Sequence, residues 1–293
     1  MPRLQIHGST GDVEIAERIA DVEIALLNKF VLTREHLVAA RHLKLIAVAG
    51  TGTDNVDLVA ARERSVAVCN VRGYCSQSVM QQVWAMILSL TQHVHEYTRL
   101  AKDGSWVRDE VSTVLRFPIR ELSGRTFGVV GWGGLGRATA KTAQAFGMRV
   151  IIANRPGGAG ESGRFDLDSL LATSDIVSLH CPLTAETSRM IGARELGLMK
   201  PDALLINTAR GGLIDGQALA DALKAGRLGG AGIDVLPQEP PIDGDPLLDP
   251  GVPNLLLTPH VAWAAREARQ RCLDEIAANV QDFLRGGRRG RVV

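Results

Sequence analysis

No sign of charge dominates this 293-residue chain: 33 Lys and Arg face 32 Asp and Glu, for a formal net charge of +1. That balance gives no electrostatic reason to expect a nucleic-acid or membrane-surface partner. Long apolar runs are missing as well, since none reaches the ~18 residues of a membrane-spanning helix. The opening MPRLQIHGST has neither the apolar core nor the small-residue cleavage site of a signal peptide. Cysteines are few, and Cys69, Cys75, Cys181 and Cys272 show no metal-ligand spacing, which reads as reduced thiols in a cytoplasm. No internal repeat of fixed period is visible. These absences argue against a secreted scaffold, a membrane protein and a zinc module. What remains is the 45% hydrophobic, 22% charged balance of a soluble globular protein, long enough for two domains and short for three.

Residues 1–73 read as short α/β units. ADVEIALLN, LKLIAVAG and VAVCNV are strand-length runs, with IAERIA and REHLVAARH as helices between and around them. From Ser76 the pattern SQSVMQQVWAMILSLTQHVHEYTRLAKDG predicts one long helix stopping at Gly104. His93 and His95, two apart on that helix, point to different sides and read as surface positions. The stretch between Gly104 and Leu122 reads as an extended arm. Six strand-like runs follow (TFGVVG, MRVIIAN, DIVSLH, ALLINT, GGAGIDVL and NLLLTPH), several separated by amphipathic segments. Such alternation implies right-handed βαβ crossovers and a doubly wound parallel sheet. REARQRCLDEIAANVQDFLRGG reads as one last helix, and GGRRGRVV as a solvated, disordered basic stub.

Gly131-Trp132-Gly133-Gly134-Leu135-Gly136 fits G-x-G-x-x-G, follows an apolar strand and opens a helix. Gly131 permits the tight turn, Gly133 lets backbone N–H groups approach a pyrophosphate, and Gly136 lets helix and strand pack closely. A glycine turn with no ligand is the alternative reading. The next strand ends, about 20 residues on, where an acid would take a ribose hydroxyl. Asn154 and Arg155 stand there instead, with Arg164 a possible second cation beyond the glycine-rich PGGAGESGR. The missing acid predicts NADP in preference to NAD, unless Arg155 is only a surface cation. Three further strand ends carry Arg210, Glu239 and His260, at the edge where open α/β sheets bind ligands. They offer a carboxylate anchor and an acid–base pair, although strand-end polar residues often merely cap a following helix.

INTARGGLIDGQAL, GAGIDVLPQEPP and LLLTPHVAW resemble the three C-terminal signatures of the D-isomer-specific 2-hydroxyacid dehydrogenases. VVGWGGLGRATAKTAQAFGMRV resembles that family's cofactor turn and KLIAVAGTGTDNVDL its substrate-domain loop, in order and in spacing, from residue 12 to residue 284. HVAWAAREARQR and NVRGYCSQSV are most similar to bacterial glycerate dehydrogenases, also called hydroxypyruvate or glyoxylate reductases.

The resemblance implies a Rossmann dinucleotide domain over residues 74–264. With it goes a smaller flavodoxin-like substrate domain over 1–73 and 265–293, and a cleft between the two. It implies that Arg210 grips a 2-keto acid, that His260 is the acid in its reduction and that Glu239 holds the imidazole. Backbone N–H groups of Ala49, Gly50 and Thr51 would form an anion nest for the substrate carboxylate, and Trp263 would shape the pocket. Cofactor contacts would come from Gly131, Gly133, Gly134, Leu135, Gly136, Asn154, Arg155, Cys181, Pro182, Thr208, Ala209, Arg210, Asp234 and His260, with Asp234 receiving the nicotinamide carboxamide. A homodimer built on the arm is expected. So is reduction of hydroxypyruvate and glyoxylate to D-glycerate and glycolate, a sibling 2-keto acid or a cofactor-sensing regulator of the same fold being the alternatives. Two departures stand out. Met80-Gln81-Gln82 replaces an Ala-Glu-His-like run, and the chain reads as lacking the strand and helix that usually precede the RLQIHGST point, an absence expected to expose an apolar face of the substrate domain.

Overall fold

The computed structural model describes residues 4–293 apart from 9, 110, 156–159 and 161. The chain divides into two compact units, Met1–Cys75 with Arg266–Val293, and Ser76–Ala265.

The first unit runs α1 (Asp12–Ile19), β1 (Ile24–Leu27), α2 (Arg34–Ala39), β2 (Leu45–Val48), α3 (Leu58–Glu63) and β3 (Ala67–Cys69); the helix Arg266–Leu284, α11 below, returns to it. Its strands pair in parallel in the order β1-β2-β3, Leu45 lying opposite both Ile24 and Ala67. β2 is buried at all four residues, as the apolar run predicts for a central strand. Asp57 starts α3 by accepting a hydrogen bond from Ala60 N–H at 2.8 Å.

The expected basic stub is not one. Residues 290–293 lie antiparallel along the outer edge of β3: Val292 N–H donates to Val68 O at 2.8 Å, and Val68 N–H to Val293 O at 3.2 Å. An uncovered sheet edge presents unpaired N–H and C=O groups, and a short segment ending in two valines satisfies them while packing both valines on the core. Two of the three arginines that suggested solvation are themselves engaged. Arg289 donates to Glu275 at 2.7 Å, and Arg291 lies over the Phe283 ring at 5.8 Å.

The second unit opens with α4 (Ser76–Gln92), α5 (Val94–Lys102) and α6 (Ser105–Arg108). It continues β4 (Thr126–Val130), α7 (Gly134–Ala145), β5 (Arg149–Ile152), α8 (Leu167–Thr173), β6 (Ile176–Leu179), α9 (Ala193–Leu198), β7 (Leu204–Asn207), α10 (Gly216–Lys224), β8 (Gly230–Ile233) and β9 (Leu255–Leu257). All six strands are parallel, in the order β5-β4-β6-β7-β8-β9. A single parallel bridge between Ala153 and Phe165 adds one further position outside β5. The order therefore reverses at the β4–β6 pair, beyond whose C-terminal strand ends open α/β sheets bind ligands. Leu170, Leu196, Leu219 and Leu223 from α8, α9 and α10 pack on Val177, Leu179 and Ile233. Alternate residues turn to the other face, where a Cβ on Gly232 would meet Met86 at 2.9 Å.

The long helix expected over 76–104 breaks at His93, which takes a left-handed conformation with φ +49°. The cause is a distant segment. Arg120 N–H takes the Thr91 carbonyl that a continuing helix would use, and Gln92 Nε2 donates back to Arg120 O at 3.0 Å. The His93 ring stacks on Phe117 at 5.5 Å, so it is not the free surface side chain that its spacing suggested. Beyond α6 the arm is irregular and tied down by Tyr97, whose hydroxyl donates to Phe117 O.

Gly128 on β4 shows how tightly this unit is filled. A Cβ there would lie 2.3 Å from Ser174 Oγ and 2.8 Å from Leu170 Cδ2. Gly128→Val should therefore destabilise the protein by about 1–3 kcal/mol through overpacking, measured by urea unfolding.

Candidate active site

The glycine turn is dictated by contact as much as by conformation. Gly131 has φ +103°, and a Cβ on it would fall 2.5 Å from Cys181 N and from the His180 carbonyl carbon. A Cβ on Gly136 would lie 2.1 Å from Gly131 O, so strand and helix meet only through hydrogen atoms. Gly133 and Gly134 have no atom within 4 Å of the equivalent point. Open space therefore lies above the first turn of α7, where unpaired N–H groups and the helix dipole favour an anion. At the neighbouring strand ends Cys181 is buried, Pro182 exposed, and Thr208 Oγ1 is buried without a hydrogen-bond partner among the described residues. A glycine cradle at a helix N-terminus and an orphaned hydroxyl beside it fit a pyrophosphate-bridged dinucleotide.

Asn154 closes β5, its N–H donating to Phe165 O at 2.6 Å; Arg155 is exposed and Arg164 half-buried. Of the PGGAGESGR stretch, residues 156–159 and 161 lie outside those described.

Two neighbours of the turn are chemically quiet. Burial pushes the Cys181 thiol up to about 11 and the His180 imidazole down to about 4, so the thiol stays protonated and the imidazole neutral. His180 Nε2 pairs with Ser178 Oγ at 2.9 Å. Neither side chain is poised as an acid or a nucleophile.

Arg210 follows β7 in a turn built by Asn207. The Asn207 carboxamide accepts from Ala209 N–H at 3.0 Å and donates to Arg210 O at 2.9 Å. Gly211 is the residue that admits this turn, because a Cβ there would sit 2.0 Å from the Leu236 carbonyl carbon. The Arg210 guanidinium donates to Ala209 O at 2.8 Å. Glu239 lies in the loop after β8, where Oε1 accepts from Leu236 N–H at 3.1 Å and Oε2 meets His260 Nδ1 at 2.5 Å. His260 is left-handed, φ +54°. Its side chain is about a quarter exposed.

Asp234, expected to meet a carboxamide, is 1% exposed and already accepts three hydrogen bonds from one turn. Thr258 Oγ1 and Val261 N–H reach Oδ1 at 2.5 and 2.9 Å, and Ala262 N–H reaches Oδ2 at 2.8 Å. Its backbone carbonyl takes His260 N–H at 2.7 Å. Asn207, Thr258 and this clamping role of Asp234 escaped sequence reasoning, which has no signal for a partner brought in by a turn. Trp263 follows, half-buried.

The first unit carries the loop after β2. Ala49 N–H donates to Leu27 O at 2.7 Å and so extends the ladder instead of joining a nest. The carbonyls of Gly50 and Thr51 are held by Val71 N–H at 3.0 Å and by Asn70 Nδ2 at 2.6 Å. Across a trans peptide the N–H points opposite to the C=O, so the Thr51 and Gly52 N–H groups face away from residues 70–71. The Ala49 N–H is therefore engaged, while the Thr51 and Gly52 N–H groups face the opposite side of the loop.

Residues 84–262 match the D-isomer specific 2-hydroxyacid dehydrogenase, NAD binding domain. The chain is 44% identical over 273 residues to a glycerate dehydrogenase of Methylorubrum extorquens, covering 93% of this chain and 86% of that one. Among solved structures it resembles an acyclic imino acid reductase in complex with NADPH and D-Arg, at TM-score 0.86 and 31% identity, covering 97% and 90%. It also resembles a D-lactate dehydrogenase from Aquifex aeolicus complexed with NAD and lactic acid, at TM-score 0.82 and 29% identity, covering 92% and 85%. With its Rossmann-like unit and its smaller substrate-binding unit, the chain belongs to the D-isomer specific 2-hydroxyacid dehydrogenase family, as an NAD(P)-dependent oxidoreductase acting on a 2-keto or 2-hydroxy acid.

Proposed function

We propose that this enzyme reduces hydroxypyruvate and glyoxylate to D-glycerate and glycolate, with Arg210, Glu239 and His260 as its catalytic residues. The observation that carries the reading is the 2.5 Å contact of Glu239 with His260 Nδ1, on a strand edge shared with Arg210. The similarity to a glycerate dehydrogenase supports the substrate class. A panel of 2-keto acids with NADH and NADPH, followed by loss of absorbance, tests it. Turnover of a different 2-keto acid alone would move the assignment to a sibling enzyme, and cofactor binding without any turnover would favour a regulator.

A nicotinamide dinucleotide held at Gly131, Gly133, Gly134, Leu135 and Gly136, with Cys181, Pro182, Thr208 and Ala209 beside it, would supply the hydride. The chain's own residues do the rest. Arg210 holds the substrate carboxylate, its planar fork matching two oxygens. Glu239 orients the His260 ring through Nδ1, and His260 gives a proton to the carbonyl oxygen in reduction and acts as base in the reverse direction. The loop around Gly50, Thr51 and Gly52 takes the substrate carboxylate through backbone N–H groups, and Trp263 shapes the pocket.

The rest of the proposal concerns assembly and compartment. Val107 (81% exposed) and Leu115 (77% exposed) on the arm, with Trp106 nearby, support a homodimer. Four free, buried cysteines suit a cytoplasmic enzyme. No helix among the described residues is long and apolar enough to cross a membrane.

Glu239→Gln removes the negative charge beside Nδ1 while keeping the shape. The ring loses its charged anchor at Nδ1, so kcat/KM should fall at least about tenfold with cofactor affinity held; near-native turnover would take Glu239 out of the mechanism. Arg210→Lys keeps the charge and loses the fork, so kcat/KM should fall at least about tenfold, ~1.4 kcal/mol, with cofactor affinity held. Near-native turnover would place the carboxylate anchor elsewhere.

The cofactor preferred is NADPH. Asn154 bonds a hydroxyl or a phosphate oxygen without repulsion, and Arg155 adds a charge worth about 1.5–3 kcal/mol against a 2′-phosphate in direct contact. The kcat/KM ratio for NADPH over NADH should exceed one and invert in Asn154→Asp. A wild type favouring NADH, or an aspartate variant that keeps the NADPH preference, would rule this strand end out as the selector.

A further inference from the structure

Asn70 stands immediately after β3 and is 6% exposed. An asparagine has four kinds of hydrogen-bonding group, two on the backbone and two on the side chain. Each is used, and each on a different partner. The backbone N–H donates to Gly290 O at 3.0 Å, and the backbone carbonyl accepts from Asn279 Nδ2 at 3.0 Å. The side-chain Nδ2 donates to Thr51 O at 2.6 Å, and Oδ1 accepts from Arg72 Nε at 3.3 Å. Two of these partners belong to the far end of the chain: Asn279 is on α11, 3% exposed, and Gly290 opens the segment paired along β3. The third, Thr51, is in the loop assigned above to the substrate carboxylate.

The junction is too tight for other residues. A Cβ on Gly290, which has φ +63°, would fall 2.6 Å from Asn279 Nδ2 and 2.8 Å from Asn70 O. On its other side the loop is braced by Val71, whose N–H meets Gly50 O at 3.0 Å and whose carbonyl accepts from Thr51 Oγ1 at 2.8 Å. The Asn70 amide is thus what orients the Thr51–Gly52 peptide. Because that peptide is planar and trans, fixing its carbonyl fixes the opposed Gly52 N–H.

We propose that Asn70 is a positioning residue for the carboxylate-binding loop, held by Asn279 and Gly290, so that residues 279 and 290–293 set the affinity for the 2-keto acid. This rests on the loop's role as a carboxylate site. Releasing the Thr51–Gly52 peptide loosens a backbone donor without touching the acid–base pair or the glycine turn, both of which lie in the other unit.

The test is steady-state kinetics on full-length Asn70→Ala, Asn279→Ala and Gly290→Ala, with hydroxypyruvate or glyoxylate varied at saturating reduced cofactor and then the reverse. Thermal melts establish that each variant is folded. The KM for the keto acid should rise at least about tenfold in Asn70→Ala and by severalfold in the other two, while kcat stays within about threefold and the cofactor KM within about twofold. A merely structural role would lower kcat and both affinities together. An unmoved keto-acid KM in folded Asn70→Ala overturns the proposal, as does an equal loss toward both substrates. Should Asn70→Ala fail to fold, Asn279→Ala, which leaves the Thr51 contact in place, is judged by the same split. A wild type inert toward every 2-keto acid would instead bring down the assigned activity itself, a result distinct from an active wild type whose variants keep their KM.

Discussion

One buried carboxylate holds the turn that carries His260 where it is. Asp234 is removed from water, and a buried charge is tolerated only when its oxygens are hydrogen-bonded. Its donors all come from the short stretch Thr258–Ala262, and its own carbonyl takes the His260 N–H. A non-glycine residue in the left-handed region costs of the order of 1–2 kcal/mol, and His260 adopts it because five residues of backbone are clamped on either side. With the backbone held, the imidazole meets the Glu239 carboxylate through Nδ1. The Glu239–His260 geometry is thus a consequence of where β8 ends relative to β9.

The same economy governs the cofactor side. Gly131, Gly136 and Gly211 are each set against backbone at distances no side chain tolerates. At Gly131 the backbone of residues 180–181 closes in, at Gly136 the carbonyl of Gly131, and at Gly211 that of Leu236. The loops at the C-terminal edge of the sheet pack on one another through main chain, which holds the positions of Arg210 and Glu239 to the strand framework. Rigid placement of this kind is what an ordered hydride and proton transfer requires.

Much of this was legible in the linear pattern. The strand-length runs became β1 to β9, and the strand–glycine–helix order placed the dinucleotide turn. Three strand ends carried Arg210, Glu239 and His260, and the family resemblance supplied roles for them. The departures share one feature. The helix that should have run to Gly104 stops at His93 because Arg120 takes the Thr91 carbonyl; the basic tail orders because β3 has an open edge; the Ala49 N–H leaves the nest because Leu27 O claims it. In each case the local composition was read correctly and a remote group outcompeted it.

What the sequence by itself determined was the kind of element at each place and the chemistry of its strand ends. Apolar period, glycine spacing and residue type are local properties, and they fix which backbone conformations and which functional groups are available. The tertiary structure alone decided which of those groups meet. Asn279 reaches Asn70 across 209 residues, and the carboxylate of Asp234 closes on a turn 28 residues on. A hydrogen bond is directional and short-ranged, so its partner is set by how the chain returns through space, and nothing in the local pattern encodes that return.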